Sequence, residues 1–81
     1  SITVRVDAPS AANATGALAQ AVGRAGGSLT ALDVAESHAG RMVVDLTCDA
    51  SDVEHADRIT EAVAAVPGVR VHKVSDRTFL L

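Results

Sequence analysis

Ile2, Val4 and Val6 alternate with Thr3, Arg5 and Asp7, the period-two pattern of a strand with one buried face. Small and polar residues from Pro9 through Asn13 break the pattern, after which Leu18, Val22 and Ala25 recur at helical spacing. Asn13 or Thr15 is the expected cap of this helix. Gly26-Gly27 supplies the positive φ that stops it. The apolar stretch from Leu29 to Ala35 reads as a second strand, and Ser37-His38-Ala39-Gly40 as a hairpin turn. Met42, Val44, Leu46 and Cys48 then face one side of a third strand, with Val43, Asp45 and Thr47 on the other. Ser51 precedes Glu54 at capping-box spacing, opening a second helix that carries Val53, Ala56, Ile59 or Thr60, Val63 and Val66. Pro67-Gly68 ends that helix, and Val69, Val71 and Val74 begin a fourth strand.

The same βαβ unit therefore occurs twice. Each helix must cover a sheet face, and right-handed crossovers leave a gap that the other half's strand fills. The expected fold is an α+β, ferredoxin-like βαββαβ sandwich, with a four-stranded antiparallel sheet and both helices on one face. Ser75-Asp76-Arg77 can turn into a short fifth strand over 77–81. The open face is expected to carry Thr3, Arg5, Asp45, Thr47, Arg70 and His72. In this arrangement 29–36 is an edge strand, rich in apolar residues and poor in lysine. Such edges are normally covered or paired, so a homodimer through this strand is expected.

At 81 residues the chain forms one domain, 1–81, and a domain this short buries only about 60–65% of its unfolded surface. Oligomerisation, or attachment to a larger body, would add what its core lacks. The chain starts inside a strand-like stretch and ends on Phe79-Leu80-Leu81, so we expect a domain of a longer polypeptide. With a net charge of −3 and acids and bases mixed along the chain, neither nucleic acid nor an anionic membrane surface is an expected partner. Phe79 is the one aromatic residue, so there is no platform for stacking bases. The single Cys48 fits a reducing compartment, and the expected location is cytoplasmic.

Catalytic constellations are not visible, and the expectation is that these residues form no enzyme by themselves. Asp49, Asp52, Glu54 and Asp57 cluster where the second helix begins, which is the ordinary complement of a helix dipole. His38, His55 and His72 lack metal-ligand spacing and read as surface histidines. Cys48 lies on the apolar side of its strand and reads as a buried, inert thiol. Gly23, Gly26 and Gly27 end a helix where a phosphate fingerprint would begin one. One loop stands apart. From Ser10 to Leu18 the residues are small, and the free amides lie at the positive end of a helix dipole, where a carboxylate is stabilised. An ordinary capped turn has the same residues.

Asn13-Ala14-Thr15-Gly16-Ala17-Leu18, Ala25-Gly26-Gly27-Ser28-Leu29 and Leu32-Asp33-Val34, with Pro67-Gly68-Val69 near the end, resemble the ACT domain family. Together with Asp76-Arg77-Thr78-Phe79, they look most like the N-terminal ACT domain of bacterial NAD-dependent malic enzymes. The resemblance implies a regulatory, dimerising domain that binds a small effector, frequently an amino acid. It places Asn13, Ala14, Thr15, Gly16, Ala17 and Leu18 at the ligand's polar head. Leu32, Asp33 and Val34 of a partner's edge strand would line the other side. Thr15 replaces the family's usual proline, Ala11 replaces a histidine of serine-binding members, and Ser10 is an alternative to Asn13 in a longer loop. No cofactor is implied for these residues. A catalytic domain in the same parent chain would carry NAD or NADP and a divalent metal. A domain that only dimerises or docks, without a ligand, is the alternative.

Overall fold

A computed structural model describes residues 1–76. The strand β1 (Ile2–Pro9) is followed by α1 (Ala14–Arg24), β2 (Ser28–His38), β3 (Arg41–Asp49), α2 (Val53–Ala64) and β4 (Arg70–Asp76). They form a four-stranded antiparallel sheet in the order β2-β3-β1-β4. This is the ferredoxin-like βαββαβ arrangement the patterning predicts. The expected short strand over 77–81 lies outside the described residues. Among the described residues no helix is long and apolar enough to cross a membrane.

Register explains which side chains are buried. Ile2, Val4, Val6 and Ala8 of β1 stand opposite Cys48, Leu46, Val44 and Met42 of β3, so all eight share one face of the sheet. Leu18 and Val22 of α1 and Ile59 and Val63 of α2 are fully buried in the same cluster, and both helices therefore cover that face. Ile59, not Thr60, enters the core; the Thr60 hydroxyl donates to the Ala56 carbonyl at 2.9 Å. Among the described residues the core has no aromatic side chain. Each fully buried Leu, Ile or Val adds on the order of 1.5–3 kcal/mol, so a change at any one is felt by the whole small domain.

Four local expectations need correction. The buried stripe of α2 is His55, Ile59 and Val63, spaced by four, while Val53 is 57% exposed. Thus His55 is a core residue and not a surface one. The α2 cap is Asp52, whose carboxylate accepts from the His55 amide at 2.7 Å, in place of the expected Ser51–Glu54 box. The hairpin turn is Ala39-Gly40 alone, with φ of 51° and 77°, the two-residue form with both φ values positive; Ser37 and His38 belong to β2. Finally, the register between β1 and β4 shifts around His72, so that Lys73 stands opposite Arg5. Lys73, not His72, is the open-face neighbour of Arg5.

Two glycines hold the α1–β2 connection. Gly26, at φ +78°, donates to the Gly23 carbonyl, and Gly27 donates to the Val22 carbonyl, both at 3.0 Å. This pair of bonds is a Schellman closure. A Cβ on Gly27 would come within 2.8 Å of Ile59 Cδ1, so only glycine allows α2 to lie this close.

Candidate functional site

The segment singled out in the sequence, Ser10 to Leu18, joins β1 to α1. Ser10 donates its amide to the Gly40 carbonyl at 2.9 Å, which pins the loop to the β2–β3 hairpin. Asn13 is the N-cap residue of α1, as expected, but its side chain makes no cap hydrogen bond and the first turn holds no acidic residue. The Ala14 amide bonds to Ala11 O and the Ala17 amide to Asn13 O. Between them, the amides of Thr15 and Gly16 have no acceptor among the described residues. Unsatisfied N–H groups at the positive end of a helix dipole favour a negatively charged partner. A Cβ on Gly16 would meet nothing within 4 Å, so this glycine faces open space.

A groove of about 150 Å³ begins here, lined by Pro9, Ala11, Asn13, Ala14, Ala17, Val66, Pro67 and Val69. The structure thus brings three of the candidate residues, Asn13, Ala14 and Ala17, against the turn between α2 and β4. Val66, Pro67 and Val69 are not marked as site residues by the sequence, where Val66 and Pro67 read as the end of a helix and Val69 as the start of a strand. The signal that could have found them is the antiparallel packing of the two helices, which puts the end of α2 beside the start of α1. Leu18 is fully buried in the core and supports the helix from beneath.

The remaining candidates lie on β2. This strand is an edge of the sheet and is exposed along most of its length. Leu32 pairs with Leu46 and Val34 with Val44, on the helix side, whereas Asp33 pairs with Asp45 on the open side. Leu32 is half-buried and Val34 is 51% exposed. An apolar side chain this open on an edge strand is available to a neighbouring strand or ligand. Asp33 points to the other face and cannot line a surface together with them.

The opposite end of the helical layer contrasts with this open one. There the Ser51 amide donates to His55 Nδ1 at 2.8 Å, which places the ring proton on Nε2. Nε2 donates to the Ala25 carbonyl, also at 2.8 Å, tying the start of α2 to the end of α1. Elsewhere, burial pushes the Cys48 thiol up from its usual range, and the charge of Asp49 adds to this. A buried thiol held in its protonated form is a poor nucleophile. Among the described residues no three His, Cys, Asp or Glu side chains converge as metal ligands would.

No family model matches the chain. Over 64 residues, 79% of the chain, it is 42% identical to an NAD-dependent malic enzyme of Geobacillus stearothermophilus. The chain is related to part of a malic enzyme. It spans 13% of the length of that relative, a domain-sized segment.

Proposed function

We propose that this chain is an ACT-type regulatory domain of a malic enzyme, binding a small carboxylate effector such as an amino acid and pairing with a second copy through β2. The observation that carries this reading is the likeness to a domain-sized part of a malic enzyme. The open amides of Thr15 and Gly16 support an anionic head group at the start of α1. Asn13 and the amides of Thr15 and Gly16 would hold that group, while Val66 and Val69 flank its apolar part. Leu32 and Val34 of a paired β2 would close the site from outside. An effector held between two copies shifts catalysis in the parent enzyme only through unequal affinity for its two states.

The test is thermal unfolding of the chain with each amino acid and a set of small organic acids. At a concentration about 100 times its Kd, a true effector adds about 2.7 kcal/mol, raising Tm by roughly 10 °C or more in a domain this small. Gly16→Asp places a carboxylate where the effector's would sit. It should abolish the shift and leave β2 pairing intact. If no compound stabilises the chain, the effector reading fails and a dimerising or docking role remains.

A further inference from the structure

On the face of the sheet away from the helices, register sorts charge across the strands. One row, read in the order β2-β3-β1-β4, is Asp33, Asp45, Arg5 and Lys73. Two acids are followed by two bases. The adjacent row runs Glu36, Val43, Asp7 and Arg70. In these two rows the charges on the central strands are matched within the chain. Arg5 makes a two-pronged contact with Asp45 at 2.8 and 2.9 Å, and Arg41 Nε donates to Asp7 at 2.6 Å. The edge strands differ. Asp33 and Glu36 on β2, and Arg70 and Lys73 on β4, have no ion pair among the described residues. On the other side of the Asp33 row stand Ala31, Thr47, Thr3 and Ser75, all small and uncharged.

We propose that this face stacks on the same face of a second copy, about a twofold axis parallel to the strands. Such an axis reverses the order of strands while keeping each row in place. Glu36 then lies over the partner's Arg70, and Asp33 over the partner's Lys73. By symmetry each pair occurs twice. The Asp33–Asp45–Arg5–Lys73 row meets its own reverse, acid over base at all four positions. An in-plane axis perpendicular to the strands would instead stack β2 on β2, acid on acid, and is disfavoured. Stacked sheets lie about 10 Å apart, a gap that facing Glu–Arg and Asp–Lys side chains span together. The small, uncharged row lets the layers approach without burying an unmatched charge. This contact leaves the backbone edge of β2 free, so it is independent of the pairing proposed above and of effector binding.

Sedimentation velocity on the chain at low salt tests it, using two charge-reversed variants whose folding is checked by circular dichroism. One carries Asp33→Lys with Glu36→Lys; the other carries Arg70→Glu with Lys73→Glu. Each alone opposes like charges at every edge contact and should sediment at roughly half the wild-type assembly mass. Mixed in equal amounts, they present complementary edges and should recover the wild-type mass. High salt should dissociate both the wild type and the mixture. The proposal is overturned if the wild type never associates face to face, that is, if the Arg70→Glu, Lys73→Glu variant keeps the wild-type mass. It is equally overturned if the mixture stays at half mass, as docking onto a different protein surface would predict.

Discussion

Where α1 stops and α2 starts, Asp52 accepts the His55 amide, the His55 ring spans from Ser51 to Ala25, and Gly26-Gly27 fold the chain closely against Ile59. Where α1 starts and α2 stops, Asn13 leaves its helix uncapped by any side chain, and a groove separates Ala14 and Ala17 from Val66 and Pro67. The two helix starts occupy equivalent places in the repeated βαβ unit. Only one is closed by the chain's own side chains. A cap contributes about 1 kcal/mol, so leaving Asn13 unused costs stability unless a ligand supplies the missing acceptor. Side-chain hydrogen bonds hold the two halves together at the His55 end, and among the described residues none does so at the Asn13 end.

Substitutions at the two ends should divide accordingly. The largest effect is expected for His55→Ala, which strands the Ser51 amide and the Ala25 carbonyl and opens a cavity beside Ile59. Urea unfolding should show a loss of about 3 kcal/mol, with Tm lower by roughly 10 °C or more. Asp52→Ala should cost about 1 kcal/mol, and Asn13→Ala at the matching position close to nothing, within about 0.3 kcal/mol. Equal costs at these two caps would erase the distinction between the ends.

A smaller effect, on neither helix end, comes from the open face. The Arg5 hydrogen bond, and then its charge, hold the Asp45 carboxyl below the usual carboxylate range. A folded-state value below the unfolded one stabilises the chain above the ordinary Asp pKa of about 3.9 and is lost as pH falls through the lowered value. Arg5→Ala should therefore be less stable than the wild type at neutral pH. The gap should narrow in acid, below roughly pH 4. A gap independent of pH would mean the guanidinium acts through packing alone.

The strands were readable because each has one buried face. Alternation in 2–7 and 42–48 named the core side of β1 and β3 correctly. It said less about β4, where Val69, Val71 and Val74 are spaced by two and then three. That extra residue is the register shift around His72, and it moves Lys73 onto the open face. On α2, His55 stands in line with Ile59 and Val63, but its polarity points to the surface while its position points to the core. Its burial depends on an acceptor, Ala25 O, thirty residues earlier in the chain, which no local pattern reveals. The loop before α1 was legible as unusual. Its groove was not, since Val66, Pro67 and Val69 reach it only through the antiparallel packing of the helices.

The most direct test follows the backbone amides by 15N–1H correlation spectra while amino acids and small organic acids are titrated into the chain. Binding at the open end predicts that the Thr15 and Gly16 peaks move in a saturable way, while those of Asp52 to His55 stay in place. Saturable shifts confined to the α2 start, or none at Thr15 and Gly16 with any compound, would contradict the account.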